Sequence, residues 1–279
     1  MSKAKPDFNR MLLRLPHSRR DYGAIRFIAE LAELFGVDLV GTYVEDDNLH
    51  FLAELPSVRE FRAGTWQPLA SLQLAQDAAF AAREAERLFL ENVGRHRPNL
   101  SFSLAKGMDA PEAGSGDIVV VIEPNSAIER ATHQFAETLE AAFRSTSSIL
   151  LVSGHVRQCS GPIIAIISGS DDPCLAAALA VAASGNEQLI LIPSQPRLSL
   201  LEALETTTRV AGLAGVTTSL SEAVFHGGNI LLPASVKGRL LVMSRKALIE
   251  RPAFSQIPIL LVSSELSSRA DVTRPKPKD

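Results

Sequence analysis

Ile149-Leu150-Leu151-Val152-Ser153 recurs, residue for residue, as Ile259-Leu260-Leu261-Val262-Ser263. Each copy is a short, continuous aliphatic run, the composition of a strand buried on both faces of a parallel sheet. Five matching aliphatic residues carry little weight alone, because such strands draw on few residue types. Their position carries more, since each copy closes a series of alternating strands and helices. A chain of 279 residues can hold two cores of roughly 100–150 residues each. The expected fold class is therefore α/β, with two related parallel-sheet units in tandem; the competing arrangement is one larger sheet of mixed strand order.

Working outward, the same alternation appears throughout. Met11 to Leu15 reads as a strand stopped by Pro16, and Ser18 with Asp21 three residues on reads as a helix start. Tyr22, Ile25, Ile28, Ala29, Ala32 and Phe35 recur at helical spacing, and Gly36 ends the helix in the left-handed position that costs glycine nothing. Val37 to Val44 is the next strand, completing a βαβ unit. Residues 45–68 are too long for a simple connection and predict a short helix near 49–55 with a lid-like turn. An Ala-rich helix follows over 68–92, then a strand at 100–105, a Gly/Pro loop to Gly116, a strand over 117–122 and a helix over 124–144.

Polar residues 153–161 mark the junction, and the order then repeats. Strands are expected at 163–167, 188–192, 216–218, 239–243 and 257–262. Helices are expected from Asp172-Pro173 to Ser184, over 200–211 and over 245–250. The expected division is a flexible arm at 1–9, a first unit at 10–155, a second and shorter unit at 156–263, and a disordered tail at 264–279.

Composition narrows the function. The formal charge is −3, from 31 acidic and 28 basic residues, so the positive field of a duplex binder is missing. The basic stretch Arg274-Pro275-Lys276-Pro277-Lys278 reads as a solubilising tail. Cys159 and Cys174 match no zinc spacing and read as free thiols in a reducing compartment. No run approaches the roughly 20 apolar residues of a membrane span, and no apolar leader follows Met1. A cytoplasmic protein is expected, with neither nucleic acid nor membrane as partner.

Candidate ligand-binding residues sit where strands end. His17 follows the first strand, where a histidine could serve as an acid or base or contact a ligand. In Ile167-Ser168-Gly169-Ser170-Asp171, hydroxyls and amides face the carboxyl end of a strand, where α/β ligands sit. The alternative there is that Ser170 and Asp171 merely cap the next helix. Gly227-Gly228-Asn229 reads as a tight turn, and Asp46, Asp47 and His50 as a solvated acidic loop. The histidines are too scattered to define a metal site, and no zincin, nucleophile-elbow or phosphate-loop motif occurs. Trp66, beside Phe61 in the 45–68 excursion, is expected to pack that loop onto the sheet.

In these stretches the chain resembles the universal stress protein family. Leu15-Pro16-His17-Ser18, the helix to Phe35-Gly36 and the strand to Tyr43-Val44-Glu45 look like the opening of one family unit. Residues 117–153 and 238–263 look like the last two strands of two such units. The resemblance implies five-stranded, mostly parallel, Rossmann-like sheets with helices on both faces. It also implies an intramolecular pseudo-dimer paired through the last strands, with a further homodimer as one form of assembly. In nucleotide-binding members an acidic residue follows the first strand, where this chain has His17 and Ser168. The backbone after the second strand contacts adenine, which falls near Val44 and Ile192.

The family's glycine-patterned phosphate loop is missing. No glycine occurs from Asp117 to Ser153 or from Met243 to Ser263, and the second stretch spans 20 residues from strand to serine against 31 from Ile122 to Ser153. Glycines let backbone amides approach phosphate oxygens, and Glu123 and Glu129 would repel them. The sequence therefore implies a non-catalytic regulatory protein with an unknown protein partner. It implies no cofactor, and at most weak ATP or AMP binding. One alternative is a nucleotide or metabolite sensor using the first unit, through His17, Val44 and the 45–68 excursion; Ser168, Ser170 and Ile192 are the candidate positions of the second unit. The other is a small hydrolase-like enzyme, for which no Ser–His arrangement is evident.

Overall fold

The computed structural model describes residues 8–15, 23–45, 51–53, 55, 57–69, 71–94, 98–106, 113–156, 160–168, 172–194, 216–220, 224–226, 229–231, 238–247 and 257–267. In chain order the first half contains β1 (Arg10–Arg14), α1 (Ile25–Phe35), β2 (Asp38–Glu45), β3 (Arg59–Arg62), β4 (Thr65–Pro68), α2 (Ser71–Val93), β5 (Leu100–Lys106), β6 (Ile118–Glu123), α3 (Ala127–Arg130), α4 (His133–Arg144) and β7 (Ser148–Ser153). The second half contains β8 (Ile163–Ile167), α5 (Pro173–Gly185), β9 (Leu189–Pro193), β10 (Thr218–Leu220), β11 (Val224–His226), β12 (Asn229–Leu231), β13 (Leu240–Ser244) and β14 (Ile259–Val262).

One ten-stranded sheet runs in the order β10-β9-β8-β13-β14-β7-β6-β1-β2-β5. Its two halves have the same internal order, and within each half every pairing is parallel. The one antiparallel pairing of this sheet among the described residues joins the halves. It sets β14 against β7, with Leu260 opposite Leu150, Ile259 opposite Leu151 and Leu261 opposite Ile149. The echoed pentapeptide thus lies against its own copy. The two expected arrangements merge: a duplicated α/β architecture whose halves share one continuous sheet.

The strands are continuous aliphatic runs because both faces are covered. Alternate residues point to opposite faces. Leu150, Val152, Leu260, Val262, Ile163, Ala165 and Ile167 join α1 and α5 in one core, while Ile149, Leu151, Ile259, Leu261, Ile164 and Ile166 join α4 residues in the other. Each fully buried Leu or Ile contributes about 1.5–3 kcal/mol, against about 1 kcal/mol net for a backbone hydrogen bond. Burial therefore stabilises the joint, and the hydrogen bonds fix its register.

Several boundaries differ from the expected ones. Gly36 closes α1 at φ 63, its N–H bonding the Ala32 and Glu33 carbonyls, as expected. The helix expected over 124–144 is broken: Thr132 leaves helical geometry, accepts a hydrogen bond from the Phe135 N–H and starts α4 anew. The arm is anchored at its inner end, where the buried Phe8 ring sits edge-on to Phe35 at 5.2 Å and the Asn9 N–H donates to Gly116 O. Ser264–Ser267, at the start of the expected tail, forms a 3-10 turn against α5. β11 and β12 pair antiparallel, with His226 opposite Asn229; Gly227 and Gly228, expected to form a tight turn, lie outside the described residues. The helix expected at 200–211 lies outside the described residues.

Beyond the β7–β14 joint, a buried charge ties the halves together. Arg239, 2% exposed, enters from the start of β13 and meets Glu187 Oε1 at 2.8 Å and Glu30 Oε1 of α1 at 2.9 Å. Glu187 also accepts from the Gly161 N–H. Burial raises the Glu187 carboxyl above its ordinary range despite the opposing pull of Arg239. Removing a buried guanidinium leaves carboxylates uncompensated, at a cost of about 3 kcal/mol or more. Arg239→Ala is expected to lower the unfolding free energy measured by urea denaturation by that amount, whereas Arg239→Met combined with Glu187→Leu should recover most of it.

Candidate functional site

Ligands of parallel α/β sheets bind beyond the carboxyl ends of the strands. Because β7 and β14 run antiparallel, those ends lie at opposite edges of the sheet in the two halves. The sequence-derived candidates consequently separate. Val44 belongs to the first half, Ser168 and Ile192 to the second, and nothing brings the two groups together.

In the first half Val44 is buried near the end of β2, paired with Ala105 of β5. His17, like Asp46, Asp47 and His50, lies outside the described residues. The loop after β6 closes on itself. Arg130 Nη1 donates to the Pro124 carbonyl at 3.2 Å and stands 3.8 Å from Glu123 Oε1. The Gly154 N–H donates to Glu123 O at 3.1 Å. A Cβ on Gly154 would lie 2.6 Å from Asn125 Oδ1 and 2.9 Å from Glu123 O. Glycine is therefore required at this edge, but to let the turn pack against 123–125.

In the second half Ile192 is fully buried in β9, and Ser168 stands exposed at the end of β8. Ser170 lies outside the described residues. The helix cap is Asp172, one residue beyond the expected pair. Its Oδ1 accepts from the Cys174 N–H at 2.9 Å, and its Oδ2 accepts from both the Ser168 N–H at 2.9 Å and the Ser168 hydroxyl at 2.8 Å. A helix N-terminus attracts anions, and here the chain's own carboxylate takes the place. The same burial, reinforced by Asp172, pushes the Cys174 thiol up, so it remains protonated at neutral pH.

Arg245 follows β13 and reaches back across the joint to the end of α4. Its Nη1 donates to Ser145 O at 2.7 Å and to Ser147 O, and its Nη2 donates to Phe143 O at 2.8 Å. A guanidinium supplies this fork to the orphan carbonyls of a helix end, and the helix dipole favours it. Burial lowers the Arg245 pKa, opposed by Glu265. Beside this contact the Ser263 N–H donates to the buried Ser148 Oγ at 3.0 Å. Sequence reading placed Asp172 at the helix start but offered Ser170 and Asp171 as the cap, and it missed Arg245. Asp172 carried a signal, an Asp immediately before Pro173. Arg245 carried none, because its acceptors lie about a hundred residues away in sequence.

Among the described residues no cluster of His, Cys, Asp or Glu could hold a metal ion, and no helix is long and apolar enough to cross a membrane. His133 and His155 are exposed, and His133 Nε2 sits 3.0 Å from Glu137 Oε1.

The architecture is thus a duplicated, doubly wound α/β fold. Among solved structures, the chain is similar to a universal stress protein from Archaeoglobus fulgidus DSM 4304. The match has 11% identity and a TM-score of 0.54, covering 91% of this chain and 96% of that one. It is also similar to the cytoplasmic domain of a prokaryotic cation chloride cotransporter, with 12% identity and a TM-score of 0.50, covering 94% and 99%. At these identities the likeness concerns the fold. No family model and no curated protein matches the sequence.

Two outcomes follow from this geometry. In a Cys159→Ser variant, a thiol reagent should find no reactive group in the native state and one, Cys174, after unfolding; rapid native labelling would contradict the burial. Arg245→Ala should destabilise the chain by about 2 kcal/mol, the scale of lost charge-assisted hydrogen bonds. Arg245→Lys should restore only part of this by chemical denaturation, since an ammonium cannot make the fork.

Proposed function

We propose that this chain is a non-catalytic regulatory protein of universal-stress type, built from related units at 10–155 and 156–263, that has given up phosphate-loop ATP binding. The observation that carries this reading is the use of Arg245. In the position matching a phosphate loop, its side chain is turned inward to three carbonyls of the other half. The Lys246 N–H beside it donates to Ser244 Oγ. In the first half, the loop after β6 is closed by Arg130, Glu123 and Gly154 rather than by inward-facing amides. Asp172 turns its own side chain onto the N-terminus of α5. Each feature replaces an anion-binding contact with an internal one.

A scaffold of this kind acts by presenting surfaces to a protein partner, consistent with side chains at the strand ends that hold the halves together. The hydrolase alternative gains no support from Ser168, whose hydroxyl donates to a carboxylate that is already capping a helix.

Calorimetry of the full chain with ATP, ADP and AMP separately tests the reading. Saturable binding tighter than about 1 mM, which corresponds to roughly −4 kcal/mol, is not expected. Micromolar binding displaced by inorganic pyrophosphate would overturn it, because the displacement would locate the affinity in phosphate contacts.

A further inference from the structure

The excursion after β2 departs from expectation. In its hairpin Phe61 of β3 stands opposite Trp66 of β4, ring centroids 5.4 Å apart, and the two remain 62% and 66% exposed. Trp66 therefore does not pack the loop onto the sheet, which corrects that expectation. The feature that points to a ligand lies in the second half, at the amino ends of its strands.

There a cleft of about 390 Å³ opens at the C-terminal end of α5, lined by Ala182, Ala183, Asn186, Glu187, Gln188 and Thr217. That volume falls in the range of small-molecule sites. Local structure builds it. Asn186 takes the left-handed position at φ 51 and ends α5, its N–H on the Ala182 carbonyl. The chain turns at once into β9, and the Leu189 N–H donates to Thr217 O, which draws the segment before β10 alongside. Asn186, Gln188 and Thr217 are exposed, whereas the Glu187 side chain is only 11% exposed.

Three observations set the sign of the ligand's charge. Glu187 and Glu30 share the one guanidinium of Arg239, so with both carboxylates ionised this cluster carries a net charge of −1. Glu187 Oε1 takes both donors, Arg239 Nη1 and the Gly161 N–H, while Oε2 is buried with no hydrogen-bond partner. A buried acceptor without a donor is rare and calls for one. Finally, α5 presents the negative end of its dipole here and has no basic residue in its last turn. The walls add acceptor oxygens from Asn186, Gln188 and Thr217 and no cation. Arg239 Nε also lacks a hydrogen-bond partner, but Arg239 does not line the cleft.

We infer that the cleft binds a small organic ammonium ion, a primary amine whose N–H donors meet the Glu187 carboxylate while its carbon chain lies along Ala182 and Ala183. Size separates this ligand from a bare cation. An ion about as large as one water, ~30 Å³, fills less than a tenth of the cleft. A divalent metal lacks its usual ligands, since no three His, Cys, Asp or Glu side chains come together among the described residues. An anion is repelled by Glu187. The amine touches the residue that anchors Arg239, and so acts on a contact between the halves. The site lies at the opposite strand ends from the candidate nucleotide positions, so it stands or falls independently of the lost phosphate loop.

NMR titration of the full chain with n-butylamine at low ionic strength, where ion pairs are least screened, tests the inference. Saturable shifts are expected at the Asn186, Glu187 and Gln188 amides, with Kd of about 1 mM or tighter. Burial raises the Glu187 carboxyl, so a bound cation displaces its proton below neutral pH. Affinity should fall as the pH is lowered, and calorimetry in two buffers of unlike ionisation heat should show proton release. Glu187→Gln should abolish binding. Thr217→Arg, at an exposed wall residue that leaves the Glu187 contacts intact, sets a cation in the cleft and should weaken binding about tenfold or more without changing stability. Butanol, the same chain without the charge, should not bind. Absence of saturable shifts would overturn the inference. So would displacement of butylamine by an equal concentration of potassium ion, equally tight binding of butanol, or wild-type affinity in the Thr217→Arg variant.

Discussion

The backbone of a buried strand must have its hydrogen bonds, and the pairing of β7 with β14 is where this constraint shapes the molecule. Each half ends on a fully aliphatic strand, which as a free edge would present unpaired amides together with apolar side chains. Setting the two strands antiparallel removes both edges at once. The two copies of the pentapeptide fit because a two-fold axis through Leu150 and Leu260 requires each strand to offer the other the same side chains. The rest of the molecule follows from that join: one sheet instead of two, cores that cross the boundary, and strand ends that face opposite directions.

That last consequence bears on function. The carboxyl edge of one half lies beside the amino edge of the other, so residues that could have faced a ligand face the neighbouring half. Arg245 caps α4 in this way, and Ser263 bonds to Ser148. On the other side of the boundary, Arg239 binds Glu187 of its own half and Glu30 of the other. A guanidinium held by three carbonyls is unavailable to a phosphate. Strand ends here hold the halves together, through Arg245 on one side of the boundary and Arg239 on the other.

The stretch between β2 and the middle of α2 is the exception to this economy of burial. Every strand of the main sheet flanked by others is covered on both faces, whereas the span from Phe51 to Phe80 keeps large aromatic side chains in water.

The elements themselves were legible in the sequence. Runs such as Ile163 to Ile167 can only be doubly covered strands, Gly36 can only end a helix, and the echo at 149–153 and 259–263 marks a duplication, because local sterics and burial period act within a few residues. The absence of phosphate-loop glycines was legible for the same reason. Side-chain partners were not: neither the three carbonyls of Arg245, the two glutamates of Arg239 nor the exposure of Trp66 follows from neighbouring residues. Those depend on which surfaces the β7–β14 join brings within about 3 Å, the range of a hydrogen bond, and that is a property of the assembled sheet alone.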